Sequence, residues 1–261
     1  MRKITSNDGA PIARYASGSG PALLLIHGSL SEHTRWQPIL SLLSQKFTVY
    51  TMDRRGRCES GDRPDYAIQC EFDDIAAVAR SIAGPINLVA HSYGAVCALE
   101  AALQLEQLHK LVLYEPPIQI GIRFQPPGVI DHIQAALDAG DREQAVSLFA
   151  TEVLRMKPGD LERFRTLPAW QRSISTVHTL PREMIAVEAY QFEPARFNDF
   201  SVPTLLLLGE QSPPFFARVI EALSAVLPDS RVVVLPGQQH AAMDTAPQLF
   251  VAEVVGFLSS P

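Results

Sequence analysis

The chain has 261 residues, enough for one sizeable domain or two small ones; 47% are hydrophobic and 19% charged, the balance of a globular protein with a filled core. Twenty-eight acidic against 22 basic residues leave a net charge of −6, and apart from Arg54-Arg55-Gly56-Arg57 the basic residues are scattered, which argues against a nucleic-acid partner. No apolar run approaches the roughly 18 residues that span a bilayer, and Cys58, Cys70 and Cys97 lack the number and spacing of a disulfide framework or a structural zinc site.

The N-terminus, Met1 to Asp8, carries two positive charges with no apolar stretch behind them. That is not the pattern of a signal peptide, so the expected location is the cytoplasm. Residues 3–5 and 12–16, around Asp8-Gly9, read as a hairpin of antiparallel edge strands. Four short apolar runs follow, at 22–26, 47–52, 86–90 and 111–114. Each has the length and continuity of a strand buried on both faces. Between them, residues 32–44, 72–82 and 93–105 carry apolar side chains at helical spacing. Such alternation predicts a mostly parallel, doubly wound α/β sheet with helices on both faces.

The alternation stops at Glu115-Pro116-Pro117. From 118 to 200 no β-branched run appears; helical patterns at 129–139, 142–156 and 181–189 are separated by Pro158-Gly159, Leu167-Pro168 and Leu180-Pro181. It then resumes with a strand at 202–208, a helix at 215–227, a strand at 231–235 and a closing helix at 247–258 with Pro at its start. The expected division is therefore one α/β core, residues 1–116 and 201–261, interrupted after the sixth strand by a helical insertion, residues 117–200. An insertion of that length is expected to serve as a lid over the strand ends.

Sites on parallel sheets form at the carboxyl ends of the strands. The 86–90 strand runs into His91-Ser92-Tyr93-Gly94, and a helix follows at once. A serine on such a strand-to-helix turn projects its Oγ from the sheet at a helix N-terminus; its neighbours two residues away, Ala90 and Gly94, are small enough for the backbone to double back. The 22–26 strand runs into His27-Gly28-Ser29. The Ser29 and Tyr93 N–H groups are the expected donors to an oxyanion, with His27 holding the turn. After the 231–235 strand, His240 lies in a loop before the last helix, where a neutral imidazole could take the Ser92 proton. His33, His91, His109, His132 and His178 have no such placement.

With these stretches in view, the chain resembles the α/β-hydrolase fold superfamily over nearly its whole length, from His27-Gly28 through Ala90-His91-Ser92-Tyr93-Gly94 to His240. Asp53-Arg54-Arg55-Gly56-Arg57-Cys58-Glu59-Ser60 resembles the loop after the fourth strand in its esterase, lactonase and haloperoxidase-like branch, a structural loop; the insertion resembles its helical cap. Ala90 stands where the commonest motif has Gly. The resemblance implies a catalytic acid after the strand that follows the cap, but in Leu208-Gly209-Glu210-Gln211-Ser212-Pro213 that position is Ser212. Two carboxylates stand in for it: Glu115, directly after the 111–114 strand and stiffened by Pro116-Pro117, and Glu210. Glu115 is the expected acid and Glu210 the alternative.

What the resemblance implies is a serine hydrolase cleaving a small ester or lactone, with Ser92, His240 and Glu115 as triad and no metal or organic cofactor. Carbon–carbon bond hydrolysis or lysis on the same fold, and a non-catalytic small-molecule-binding protein, are the alternatives. Phe124, Trp170, Tyr190 and Phe192 are candidates for an aromatic pocket wall, or else plain core. The expected partner is a small-molecule substrate, with no nucleic acid and no membrane, in a monomer or homodimer.

Overall fold

The structure is a computed structural model that describes residues 1–121 and 124–260. Its eight-stranded sheet is built from β1 (Arg2–Thr5), β2 (Pro11–Ser17), β3 (Ala22–Ile26), β4 (Thr48–Met52), β5 (Ile86–His91), β6 (Leu108–Tyr114), β7 (Thr204–Gly209) and β8 (Ser230–Leu235). The spatial order is β1-β2-β4-β3-β5-β6-β7-β8. β1 and β2 form the antiparallel hairpin at one edge, β2 also pairs antiparallel to β4, and the pairs from β4 through β8 are parallel. This is the mostly parallel, doubly wound sheet that the alternating pattern predicted, in the α/β-hydrolase architecture that the resemblance implied.

The central strands read as uninterrupted apolar runs because both faces are covered. β3 and β5 are buried at every position. One face packs on α2 (Ile68–Arg80) and α3 (Tyr93–Ala102), where Leu24, Ile26, Leu88 and Ala90 meet Phe72, Ile75 and Leu99. The opposite face, with Leu23, Leu25, Val89 and Val112, packs on α1 (Gln37–Leu43) and the C-terminal helix through Trp36, Ile39, Phe250 and Val254. At the edge β8 is half covered, and Val232 and Val234 stay exposed.

Between β6 and β7 the chain forms α4 (Val129–Asp138), α5 (Arg142–Leu148), α6 (Pro158–Arg165), α7 (Pro168–Thr176) and α8 (Leu180–Ala189). These helices bury an apolar cluster of their own, including Val129, Ile133, Val146, Leu161, Trp170, Val177 and Met184. Beyond β7 come α9 (Pro214–Val226), the short α10 (Ala242–Thr245) and α11 (Pro247–Leu258).

Four elements differ from the sequence expectation. The helix at 32–44 is a 3-10 turn, His33–Trp36, followed by α1, because Pro38 suits the first turn of a helix and not its interior. The pattern at 142–156 gives α5 and then a π-helical turn, Phe149–Val153. α6 and α7 were not predicted: Pro158 and Pro168 mark their first positions, where proline starts a helix instead of breaking one.

Candidate active site

Ser92 lies between β5 and α3 with φ 55° and ψ −128°, a region in which a residue with a Cβ is strained. The turn persists because its surroundings over-determine it. Ser92 N–H donates to the Tyr114 carbonyl on β6, and Ala95 N–H donates to the Ser92 carbonyl. Close approach fixes the two glycines beside it. A Cβ on Gly94 would lie 2.3 Å from the His27 carbonyl oxygen, and one on Gly28 would lie 2.8 Å from the Ser92 Cβ. Neither position accommodates any other residue without moving backbone. Tyr93 opens α3, so its N–H has no acceptor within the helix.

His240 sits in the loop after β8, partly exposed, and its Nδ1 is 2.5 Å from Glu115 Oε2. Glu115 is fully buried and its φ is 47°. That twist at the end of β6 swings the carboxylate across to β7, where Oε1 accepts the Gly209 N–H at 2.7 Å. Glu115 thereby reaches the loop in which the resemblance had implied an acid. Ser212 stands there with a buried hydroxyl that has no hydrogen-bond partner. The alternative carboxylate, Glu210, is exposed and accepts from Gly237 N–H, away from the imidazole.

Other groups fix the His240 ring. Phe216 stacks on it with centroids 4.8 Å apart and planes 18° apart. His91 donates from Nε2 to the His240 carbonyl at 2.7 Å, and the Tyr114 hydroxyl bonds the Gln239 carbonyl. Burial, reinforced by His240, holds the His91 pKa well below that of a free imidazole, so it is a neutral N–H donor. The role of His91 went unread in the sequence, where only its position beside Ser92 could have signalled it.

Ser92, Tyr93, Ser29 and His240 border one cavity of about 30 Å³, room for a single water. The insertion supplies most of its remaining wall: Phe124, Phe149, Val153, Glu183, Met184 and Val187. Of the four aromatic candidates only Phe124 lies there. Trp170 fills the core of the insertion against Phe164, Tyr190 bonds Glu100, and Phe192 stacks on Phe197. Aromatic spacing on a helix reports a buried face without saying which cavity that face borders.

His27 is fully buried; Nδ1–H donates to the Gly28 carbonyl at 2.8 Å and Nε2 accepts the Arg54 N–H at 3.2 Å. Burial, with Arg57 and Arg54 nearby, keeps it neutral. The basic cluster also turns inward. Arg54 binds Glu71 and Glu183, Arg55 binds Asp74 and Asp8, and Arg57 binds Glu183, so none of the three presents a charge to the surface.

Two further features lie away from Ser92. Glu32, His33, Asp53 and Cys58 bring ligand-type atoms within 4.8 Å of one another. Their carboxylates already accept from Thr34, His33 and Tyr15, and burial together with Asp53 and Glu32 pushes the Cys58 thiol up to about 11, so the grouping is a hydrogen-bonded junction of two loops. An open groove of about 520 Å³ beside Leu108, His109, Arg196 and Pro203 lies at the opposite, amino-terminal end of β6 and β7. Among the described residues no helix is long and apolar enough to cross a membrane.

Residues 23–254 match the profile of the Alpha/beta hydrolase family. The chain is 28% identical over 258 residues to 2-(acetamidomethylene)succinate hydrolase from Mesorhizobium japonicum, covering 93% of this chain and 90% of the relative. It is 26% identical to the pimeloyl-[acyl-carrier protein] methyl ester esterase of Nitrosomonas europaea, covering 93% and 98%. A crystal structure of an alpha/beta hydrolase from Sphaerobacter thermophilus superposes with a TM-score of 0.88 at 33% identity, over 99% of this chain and all of that one.

Proposed function

The chain belongs to the alpha/beta hydrolase family, and from that premise we propose that it is a serine hydrolase acting on a small carboxylic ester or lactone. The single observation carrying this reading is the 2.5 Å contact of His240 Nδ1 with Glu115 while the same imidazole borders a cavity with the strained Ser92. With Nδ1–H held by the carboxylate, Nε2 is the ring's free base. Ser92 Oγ attacks the substrate carbonyl carbon as its proton passes to Nε2. The carbonyl π pair moves onto oxygen, and the Ser29 and Tyr93 N–H groups bind the resulting oxyanion. Collapse of the tetrahedral adduct expels the alcohol, which takes the proton from Nε2. Water then repeats the sequence on the acyl-enzyme and releases the acid. Glu115 orients the ring and stabilises the imidazolium formed at each attack.

The insertion acts as a cap in this scheme. Its Phe124, Phe149, Val153, Met184 and Val187 offer an apolar wall to the acyl or alcohol group, and the cavity must widen to admit either. Cleavage of an N-acyl bond is the second reading, favoured by the likeness to a hydrolase whose named substrate carries an acetamido group. A fluorophosphonate probe tests the class: labelling of Ser92 that disappears in His240→Ala supports it, and absence of labelling in folded protein refutes it. Turnover of p-nitrophenyl esters of rising chain length, lactones and N-acyl enamines then ranks the substrates.

A further inference from the structure

Resting on that reading of Ser92, Ser29 and Tyr93, we infer that Glu183 is a positioning residue: through Ser29, Arg54 and Arg57 it ties the inserted helices to the peptide that aims the Ser29 N–H, so the oxyanion hole is complete only while α8 is seated on the core.

The geometry begins at one peptide unit. The Gly28 carbonyl and the Ser29 N–H belong to the same plane and, in a trans peptide, point in opposite directions. The Gly28 carbonyl accepts from Arg54 Nη1 at 3.2 Å and from His27 Nδ1 at 2.8 Å. Whatever fixes Arg54 therefore fixes the direction of the N–H on the other side. Arg54 is fully buried, doubly bonded to Glu71 at 2.9 and 2.6 Å, and bonded to Glu183 Oε1 at 3.1 Å. Its guanidinium also lies over the Tyr93 ring, 4.4 Å from the centroid, so the second oxyanion donor belongs to a residue packed on the same cation. Glu183 Oε2 accepts from Ser29 Oγ at 2.7 Å, a direct hold on the residue that carries the first donor. Arg57 shares Oε1.

Glu183 is the member of this cluster that comes from the insertion; Ser29, Arg54, Arg57 and Glu71 belong to the α/β core. Two guanidinium groups face two carboxylates, all buried. Withdrawing α8 would remove one carboxylate and leave the remaining charges unbalanced in a dry site, which is costly and leaves Glu71 as the one carboxylate of the cluster holding Arg54. Seating of the insertion and alignment of the Gly28–Ser29 peptide are thus one event, and a substrate that closes the insertion over itself also completes its own oxyanion site.

The test uses the full chain, p-nitrophenyl acetate as substrate and phenylboronic acid as a probe that forms a tetrahedral adduct on Ser92. Glu183→Gln and Ser29→Ala should each lower kcat about 10- to 100-fold with KM changed less than about threefold, the signature of a misaimed transition-state donor. Phenylboronic acid should weaken by a matching factor, and the double variant should be no worse than Glu183→Gln alone. Glu183→Asp should recover part of the loss. Ser29→Ala removes only the hydroxyl and keeps the backbone donor, so it decides the matter if Glu183→Gln fails to fold. Wild-type kcat and boronate affinity in folded Glu183→Gln and Ser29→Ala, a rise in KM alone, or fully multiplicative losses in the double variant would each overturn the inference. If the wild type is not labelled at Ser92 by a fluorophosphonate, the hydrolase reading beneath it falls as well. Labelling of the wild type with unaffected variants brings down the inference alone.

Discussion

At the scale of single residues, the triad proposed here is a chain of contacts in which each member depends on the next. Ser92→Ala and His240→Ala should each lower kcat/KM by about 10⁴- to 10⁶-fold, and the double variant should be little worse than either, as measured with a p-nitrophenyl ester. Glu115→Gln should cost about 10²-fold or more, because a neutral amide cannot balance an imidazolium. Glu210→Gln should stay within about threefold, since its partner is the Gly237 N–H on an exposed loop. The reverse outcome for the two glutamates would move the acid to Glu210 and leave the class intact. Ser92 and His240 stood out in the sequence because each follows an apolar strand at one rim of the sheet. The acid was ambiguous because spacing does not show how far a side chain can reach; the positive φ of Glu115, which turns it toward Gly209 and His240, has no signature in residue type. His91 and Glu183 act through contacts made 149 and 154 residues away along the chain, to His240 and Ser29, and no local pattern encodes those.

Among the elements, the strands were legible and the insertion only partly so. Runs such as Leu23-Leu24-Leu25-Ile26 have no polar face to conceal, and burial on both sides follows from that alone. The helices α6 and α7 are short and open with proline, so the same residues that start them read as punctuation between other elements. Trp170 on α7 is 3% exposed and packs at the centre of the insertion's own apolar cluster, edge-on to Phe164. Trp170→Ala should cost about 3–5 kcal/mol. Because that cluster is separate from the two that sandwich the sheet, the loss should appear in calorimetry as a new transition below the main one, with limited proteolysis cutting first within residues 118–200. A single main transition, merely shifted, would mean that insertion and sheet melt as one unit.

For the molecule as a whole, the strand-helix alternation breaks in the sequence where the helices between β6 and β7 begin, whereas the ionic seam that joins those helices to the sheet leaves no such mark, since Arg54-Arg55-Gly56-Arg57 reads only as a short basic cluster in a structural loop until its carboxylate partners are seen. That seam sets an acid limit on stability. Burial penalises the Glu183 carboxylate, but Arg54 and Arg57 outweigh that penalty and hold its pKa at about 2, against an ordinary 4.5. A carboxylate depressed in the folded state contributes its full stabilisation above its ordinary pKa and loses it as pH falls through the folded value. Unfolding free energy from urea titrations should therefore decline as pH falls below about 4.5, and Glu183→Gln should flatten that decline. An unchanged acid limb in the variant would remove Glu183 as its source. Glu115 ends the sheet portion and is followed at once by the buried Pro116-Pro117, while Pro203 precedes β7 on the return. Proline fixes φ at each junction, so the chain leaves and re-enters the sheet at set angles, while Phe124 of the insertion still packs on Phe216, the ring stacked on His240. The intervening stretch is thus exchangeable only with its contacts kept: a grafted replacement that retunes which molecules are accepted must bring a carboxylate for Ser29, Arg54 and Arg57 and a side chain against Phe216.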